Sequence, residues 1–229
     1  MKTKIICVYN NQEIFDKVVK NNKNLKDCEF LACDNTKENT AITKHYNNFI
    51  DENIISNEAA NFWCLFIHQD FGIEEDIDLK LKKIDKNCIY GAVGAKFYRG
   101  IYFNRKGFKR FHVVNYGKIL QGNNDFNFRE YGLEVKRPKT VDSVDCCCII
   151  MHSSLIKKHN LHFDENLSFH MYAEELCYSA KKDHRIKTKV IQLDCYHLGA
   201  GSLNEEFQKS AQYLKDKFNI KRVPSTCPN

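Results

Sequence analysis

The chain has 229 residues, 43% of them hydrophobic and 12% aromatic, and its three prolines and ten glycines exclude a low-complexity protein. A formal charge of +6 is compatible with an anionic substrate but is too small to predict a nucleic-acid partner. No stretch approaches the roughly 20 apolar residues that cross a bilayer, and no secretory signal is visible, so we expect a soluble, cytoplasmic protein. Peripheral association with a membrane and a homo-oligomer stay open.

The cysteines point to the same compartment. Their number, eleven, is odd, and it includes the run Cys146-Cys147-Cys148, but no C-x-x-C pair occurs. This spacing predicts neither a zinc ribbon nor a thioredoxin-like site. We therefore expect reduced cysteines that act as small core residues.

The first part of the chain alternates strand patterns with helical ones. Strands are predicted at residues 4–9, 29–33 and 62–67, and helices around residues 14–19 and 42–50. The stretch 62–67 is apolar throughout, which predicts a strand buried on both faces. This order is typical of an α/β protein with a doubly wound, mostly parallel sheet flanked by helices.

Polar residues follow each of these three strands. They are Tyr9-Asn10, Asp34-Asn35 and His68-Gln69-Asp70. Because ligands bind beyond the carboxyl ends of strands in open α/β sheets, we expect the three clusters to form one site of nucleotide size. Asp70 is a suitable ligand for a hard divalent cation, which would in turn hold phosphates. The glycine-rich loops of dinucleotide oxidoreductases and P-loop ATPases are absent.

The middle of the chain is less regular. Residues 88–97 are predicted as one strand, whose glycines mark a close approach of backbones. Over residues 98–140 the pattern dissolves, which predicts a loop or small excursion that walls an acceptor pocket rather than a nucleic-acid surface. The aromatic and basic residues of this region include Arg105, Lys106, Phe108, Lys109, Arg110 and Phe111.

The last third contains further elements. A buried strand is predicted at residues 146–151, then a short helix capped by Ser153, then a helix from Tyr172 onward. Glu174 and Glu175 lie in the first turn of that helix, where the helix dipole favours acidic residues. A last strand at residues 189–193 leads to His197.

The end of the sequence predicts one more helix. Ser202 and Glu205 match a capping box, and apolar residues at positions 207, 211, 214 and 218 form one face of the helix that follows. Residues 224–229 are expected to be frayed.

With these elements in order, the chain resembles the GT-A glycosyltransferases of family 2, especially a branch that carries H-Q-D where others have D-x-D. The resemblance implies one GT-A domain, in which residues 1–97 bind the nucleotide sugar and residues 98–229 bind the acceptor and catalyse transfer. The similar segments are Val8-Tyr9-Asn10, residues 42–47, Phe66-Ile67-His68-Gln69-Asp70, and the block from Val144-Asp145 through residues 163–165, Tyr172 and residues 175–177 to His197.

The resemblance also implies roles for individual residues. Asp70 would bind Mn²⁺ or Mg²⁺, and His197 would be a further metal ligand or a phosphate contact, although a single histidine at a strand end is often structural. The residues implied in binding the sugar nucleotide are Tyr9, Asn10, Asp34, Asn35, Tyr46, Asn47, His68, Gln69 and Asp145.

The catalytic base has two candidates. An inverting transfer needs a carboxylate that takes the proton from the acceptor hydroxyl. Family members place an acid pair at this helix start. An Asp-x-Asp alignment puts Ala173 at the first position and Glu175 at the second, whereas a shift by one residue aligns Glu174-Glu175 with Glu-Asp. We take Glu175 as the first candidate and Glu174 as the second.

The resemblance thus implies an inverting, metal-dependent hexosyltransferase that uses a nucleotide-diphospho-sugar, with UDP as the expected nucleotide, as in polysaccharide biosynthesis. The acceptor would be a hydroxyl of a glycan, a lipid-linked saccharide or a glycoprotein. Ala173 and the missing first Asp of D-x-D leave open a non-catalytic relic that binds nucleotide or glycan. A nucleotidyltransferase, which would share the strand-end metal site, is the other alternative.

Overall fold

The computed structural model describes residues 3–104, 107–123, 125–199 and 203–227, with side chains at all of these except residues 99–111. The strands in this part of the chain are β1 (Lys4–Tyr9), β2 (Glu29–Asp34), β3 (Trp63–His68), β4 (Phe71–Ile73), β5 (Cys88–Gly91), β6 (Gly94–Asn104), β7 (Gly107–Tyr116), β8 (Ile119–Gln121), β9 (Arg129–Tyr131), β10 (Lys139–Val141), β11 (Ser143–Val144), β12 (Cys148–His152), β13 (Lys187–Val190) and β14 (Cys195–His197). The α-helices are α1 (Gln12–Phe15), α2 (Ile42–Ile50), α3 (Ile77–Leu81), α4 (Ser153–His159), α5 (Tyr172–His184) and α6 (Glu205–Phe218).

A central sheet organises the molecule. Within the described ranges it has seven strands in the order β10-β13-β5-β12-β3-β1-β2. Five of the seven run in one direction, whereas β10 and β12 are antiparallel to their neighbours. The fold is therefore a mixed α/β single domain with a mostly parallel sheet flanked by helices, as the sequence predicts.

Strand β3 lies inside this sheet, between β12 and β1. Trp63, Leu65 and Ile67 pack into the hydrophobic cluster on one face, and Cys64 and Phe66 pack into the cluster on the other. Burial of a large apolar side chain contributes about 1.5–3 kcal/mol. The prediction of a strand buried on both faces is confirmed.

The register of the sheet gathers the polar strand ends. Strand β1 is parallel to both β2 and β3, with Tyr9 opposite Asp34 and Val8 opposite His68. The carboxyl ends of the three strands consequently lie at one edge. Strands from both sides of residue 97 contribute to the sheet, so the functional division at that residue stays a prediction.

The single strand predicted at residues 88–97 is wrong. The chain breaks after Gly91, so that β5 joins the central sheet while β6 joins a three-stranded sheet, β11-β6-β7. The close approach of backbones predicted from the glycines is confirmed, because a Cβ atom on Gly94 would collide with the backbone carbonyl oxygen of Ser143. This close contact lets β11 pair with the start of β6, just after the break.

The loop predicted over residues 98–140 is also wrong. Strands β6 and β7 form a long antiparallel hairpin, and β8, β9 and β10 follow it. Cross-strand backbone hydrogen bonds hold the two strands of a hairpin together. Such strands can therefore form without the alternation of apolar and polar residues from which a strand is predicted. Arg105 and Lys106 lie outside the described residues, as do the side chains of Phe108, Lys109, Arg110 and Phe111.

The predicted cap of α4 needs correction. The ring Nδ1 of His152 accepts a hydrogen bond from the backbone N–H of Ser154 at 3.2 Å, so His152 is the N-cap and Ser153 is the first helical residue. The hydroxyl of Ser153 instead accepts a hydrogen bond from the backbone N–H of Phe62 at 3.0 Å. Ser153 thus ties the helix to the start of β3.

The predicted cap of α6 also shifts. Asn204 Oδ1 accepts a hydrogen bond from the Phe207 backbone N–H at 2.9 Å, and the helix begins at Glu205. Ser202, the predicted cap, lies outside the described residues. The last predicted strand, at residues 189–193, overlaps β13 only at residues 189–190, because β13 begins at Lys187 and ends at Val190.

Two expectations about the whole chain can be compared with the structure. All eleven cysteines lie in the described ranges, and each is a free thiol. Within those ranges, no helix has both the length and the apolar character needed to cross a bilayer.

Candidate active site

A cleft opens where β1, β2 and β3 end. We call it the strand-end cleft; its volume is about 340 Å³, and it is lined by Tyr9, Asn10, Asn35 and Gln69 together with His68 and Asp70. These are six of the residues that the sequence predicts for nucleotide or metal binding. The parallel register of the three strands brings them together.

A second cleft, of about 370 Å³, adjoins the first. We call it the carboxylate cleft, because the carboxylates of Asp145 and Glu174 line it. His68, Asp70 and Phe169 line both clefts. The ring of Phe169 is half-exposed and stacks on His68 with ring centroids 5.6 Å apart.

Three residues at the junction form a potential metal site. Among the described residues, His68, Asp70 and His197 each offer one ligand atom, and these atoms lie within 4.8 Å of one another. Asp70 Oδ1 lies 3.3 Å from His197 Nε2, yet it is buried without a hydrogen bond. A buried carboxylate oxygen is costly unless a partner compensates it. Two imidazoles and one carboxylate, whose Oδ1 has no hydrogen bond, fit a divalent cation.

The charges at this junction suit a metal ligand set. Burial alone would raise the pKa of Asp70, but its interaction with His197 and His68 lowers that pKa to about 2. Burial lowers the pKa of His68. The pKa of His197 is raised, because Asp70 outweighs the effect of burial there. At neutral pH, Asp70 is therefore ionised and His68 is neutral, as metal coordination requires, whereas His197, whose pKa is raised, would have to release its proton to bind the metal.

Tyr172 orients His68. The Tyr172 hydroxyl donates to the backbone carbonyl of Cys146 at 3.0 Å and lies 2.9 Å from His68 Nε2. Because its single proton is used on Cys146, the hydroxyl accepts from His68 Nε2–H. His68 Nδ1 then carries the free lone pair, which is the form that binds a metal.

Gln121 and Gly199 support His197. The side-chain amide of Gln121 donates to the backbone carbonyl of His197 at 3.3 Å and to that of Gly199, while its oxygen lies 3.4 Å from His197 Nδ1. A Cβ atom on Gly199 would lie 2.7 Å from Asp70 Oδ2. Gln121 is not among the residues predicted from the sequence, because β8 falls within residues 98–140, for which a loop is predicted.

Two amide side chains shape the strand-end cleft. Gln69 Oε1 accepts hydrogen bonds from the backbone N–H groups of Asn10 and Asn11, both at 2.9 Å. Asn35 pairs twice with the backbone of Thr40, at 2.8 Å each. These bonds hold the loops after β1 and β2 in place. Gln69 and Asn35 therefore contribute to the shape of the strand-end cleft.

Three residues predicted for sugar-nucleotide binding lie elsewhere in the described structure. Asp34 is exposed, lines neither cleft and accepts a hydrogen bond from the Thr36 N–H at 2.9 Å, which lowers its pKa. Tyr46 is fully buried in the core. Asn47 makes two 2.9 Å hydrogen bonds to the backbone of Phe163 and is also buried.

Glu174 is the acid of α5 that reaches the carboxylate cleft. Its Oε1 accepts a hydrogen bond from the Ser225 hydroxyl at 2.8 Å, and its side chain is only 5% exposed. Burial and the negative charge of Asp145 raise the pKa of Glu174 to about 7, against the opposing effect of the Ser225 hydrogen bond. Such a carboxylate can accept a proton near neutral pH.

Glu175, the first candidate from the sequence, lies outside both clefts. Its Oε1 accepts hydrogen bonds from the Ser179 hydroxyl at 2.6 Å and from Lys217 Nζ at 2.8 Å. Lys217 Nζ also lies 2.6 Å from Asp164 Oδ2. Consecutive helical residues point about 100° apart, so only one of the two acids can face the cleft.

Residues 224–227 are not frayed, contrary to the prediction. Ser225 and Thr226 are 5% and 7% exposed. The Thr226 hydroxyl donates to Asp145 Oδ2, and the Cys147 N–H donates to Asp145 Oδ1 at 3.0 Å. Burial would raise the pKa of Asp145, but the charge of His197 and these hydrogen bonds hold it below its ordinary value. Pro228 and Asn229 lie outside the described residues.

The sequence matches no model of a known protein family and no curated protein. Solved structures are similar to it. S. aureus TarS in complex with UDP-GlcNAc has a TM-score of 0.50 and 13% identity over 96% of this chain and 68% of that chain. A197 from STIV has a TM-score of 0.47 and 12% identity over 87% of both chains. A glycosyltransferase involved in glycosylation of the major capsid of PBCV-1 has a TM-score of 0.40 and 9% identity over 93% of this chain and all of that one.

The fold of this chain is therefore GT-A-like. In the longer TarS structure, which matches with a TM-score of 0.50, the chain spans 40% of the length. Membership in the H-Q-D branch of family 2 stays a prediction.

Proposed function

We propose that this protein is a metal-dependent glycosyltransferase that moves a sugar from a nucleotide-diphospho-sugar to a hydroxyl of a glycan, a lipid-linked saccharide or a glycoprotein. The observation that carries the proposal is the junction of the two clefts. His68 and Asp70 lie between a strand-end cleft of nucleotide size and a buried carboxylate that titrates near neutrality. The TarS structure with UDP-GlcNAc supports UDP as the nucleotide.

The strand-end cleft would take the donor. Tyr9, whose ring stacks on Phe15 at 4.5 Å, would contact the base, and the loop fixed by Gln69 would surround the ribose. A cation held by His68, Asp70 and His197 would neutralise the charge that develops on the departing diphosphate. Two imidazole ligands favour Mn²⁺ over Mg²⁺, because Mg²⁺ prefers oxygen ligands.

The carboxylate cleft would take the acceptor. The acceptor hydroxyl attacks the anomeric carbon from the side opposite the diphosphate, which inverts the configuration. As the new C–O bond forms, the bond from carbon to the phosphate oxygen breaks, and the hydroxyl proton passes to Glu174. A base with a pKa of about 7 is suited to this transfer at neutral pH. Asp145 would hold a neighbouring group of the acceptor.

A donor screen tests the proposal. UDP-, GDP- and CDP-sugars are compared for thermal stabilisation with and without Mn²⁺, and release of nucleoside diphosphate is then measured with saccharide acceptors. We expect a UDP-sugar to stabilise the protein only with Mn²⁺ and to release UDP. Thermal stabilisation by a nucleotide sugar, without release of nucleoside diphosphate whichever acceptor is added, would indicate a non-catalytic binder. Formation of a nucleotide sugar from a nucleoside triphosphate and a sugar 1-phosphate would indicate a nucleotidyltransferase.

A further inference from the structure

The segment Pro224 to Cys227 follows α6 and enters the carboxylate cleft. Three of its residues, Ser225, Thr226 and Cys227, line that cleft. They do so without belonging to a helix or a strand. A polar stretch that is buried in this way must satisfy its hydroxyl groups inside the protein.

The two hydroxyls of the segment pair with the two carboxylates of the cleft. Ser225 Oγ donates to Glu174 Oε1 at 2.8 Å, and Thr226 Oγ1 donates to Asp145 Oδ2. A hydrogen bond to a carboxylate is stronger than one between neutral groups. Asp145 and Glu174 thus hold two hydroxyls, carried by adjacent residues, in one cleft.

The rest of the segment is held by a few hydrogen bonds to its backbone. The Ser143 hydroxyl donates to the Pro224 carbonyl at 2.6 Å, and the Tyr131 hydroxyl donates to the Thr226 carbonyl at 2.7 Å. No sheet ladder includes these residues. Departure of the segment from the cleft would therefore break no strand-pairing hydrogen bond of the central sheet.

We propose that Asp145 and Glu174 bind two neighbouring hydroxyl groups of a saccharide or polyol, and that Ser225 and Thr226 occupy these two positions in the absence of that ligand. The inference rests on the proposed function, since it makes this ligand the acceptor. Ser225 lies within hydrogen-bonding reach of the proposed base, where an acceptor hydroxyl has to be. The half-exposed ring of Phe169, which lines the same cleft, offers a face for a sugar ring.

Binding measurements test the competition directly. The double variant Ser225→Ala/Thr226→Val removes both hydroxyls while it keeps the side chains close in size. Methyl glucoside, methyl galactoside, methyl mannoside and glycerol are titrated by saturation-transfer NMR in the presence of UDP and Mn²⁺. 1-Propanol, with one hydroxyl, serves as the ligand control. Ser154→Ala, an exposed serine that lines neither cleft, serves as the protein control.

We expect at least one of the polyhydroxyl ligands to bind the double variant about tenfold or more tightly than the wild type, because it no longer displaces hydrogen bonds to two carboxylates. Affinity for 1-propanol and for UDP should stay unchanged, and Ser154→Ala should behave as the wild type. Equal or weaker binding by the double variant overturns the inference. An equal gain for 1-propanol overturns the two-hydroxyl mode of recognition.

Transfer assays separate this inference from the proposed function. If the wild type releases UDP in the presence of acceptor but the double variant shows no gain in affinity, the transferase stands and the competition is wrong. If no donor gives turnover but the gain in affinity is seen, the cleft binds saccharides and the transferase is wrong.

Discussion

Glu174 accepts a hydrogen bond from Ser225 inside the carboxylate cleft, whereas its neighbour Glu175 lies 2.8 Å from Lys217 Nζ, outside both clefts. The two acids thus differ in surroundings although they are adjacent in sequence. General-base catalysis contributes about 10²–10⁴ in rate. We therefore predict that Glu174→Gln lowers the transfer rate at least about 100-fold on that scale and leaves donor affinity unchanged, as measured by UDP release and calorimetry.

Glu175→Gln is the matched comparison. The substitution removes the charge of the buried Glu175 from its ion pair with the partly exposed Lys217, and hydrogen bonds to charged groups contribute about 1.5–3 kcal/mol. We predict a loss of unfolding free energy of about that size in urea denaturation, with a transfer rate close to that of the wild type. If Glu175→Gln is the inactive variant instead, the assignment of the base to Glu174 is wrong.

The pH dependence of activity follows from Glu174. Its pKa of about 7 means that the basic form is lost below neutrality. We predict that kcat/KM rises through about pH 7 in the wild type and that this rise is absent from the residual activity of Glu174→Gln. A flat wild-type profile between pH 6 and about 8 would contradict the role of Glu174 as base.

Stability should depend on pH in the opposite sense. Glu174 has an ordinary pKa of 4.5, which the folded state raises to about 7, so folding favours the protonated form. Relative to Glu174→Gln, the wild type should lose stability as the pH rises from 4.5 to 7, with the full loss present above that range. Urea denaturation of both proteins at several pH values measures the difference. A constant difference would show that the carboxylate is not desolvated.

Removal of Asp70 should abolish metal-dependent nucleotide binding. The variant Asp70→Ala leaves only two imidazoles at the junction. Mutation of a residue that merely supports a metal ligand already lowers the affinity for the metal about 10–100-fold, so loss of a ligand should cost at least as much. We predict a loss of at least about 100-fold in UDP affinity with Mn²⁺, measured by calorimetry, with the circular dichroism spectrum retained. Asp34→Ala is the control, because Asp34 is exposed and lines neither cleft. Equal losses in both variants would contradict the metal site.

Gly199 gives a test that leaves all three ligands in place. A Cβ atom there would lie 2.7 Å from Asp70 Oδ2 and 3.2 Å from His197 Nε2, so it would push the two ligands apart. We predict that Gly199→Ala weakens Mn²⁺-dependent UDP binding by about 10–100-fold and leaves metal-free UDP binding as it is. Unchanged affinity with Mn²⁺ would show that these two residues do not share a cation.

The free thiols make a simple prediction. All eleven cysteines are unpaired, although three of them are consecutive. Loss of a native disulfide typically costs about 2–5 kcal/mol. Since none of these cysteines is in a disulfide, dithiothreitol should leave the melting temperature of the protein unchanged. A lower melting temperature in reductant would reveal a disulfide.

Hydrophobic pattern was sufficient to predict the framework of the site. The apolar run that ends at His68 predicts a doubly buried strand, and the polar residues after β1, β2 and β3 predict a shared edge; both are found. These features are local, because a strand that is buried on both faces has to be apolar along its whole length. The hairpin β6–β7 was missed, because its pairing depends on backbone hydrogen bonds rather than on pattern.

The sequence by itself determined the fold class, the cluster of polar strand ends and the presence of two acids at the start of α5. The tertiary structure decided that Glu174 faces the cleft while Glu175 binds Lys217, and that Gln121, Ser225 and Thr226 belong to the site. The hydrogen bonds that place these side chains join residues that are 42 to 81 positions apart along the chain. Side-chain direction at such a site is set by the partners that packing brings within reach, and no local pattern encodes them.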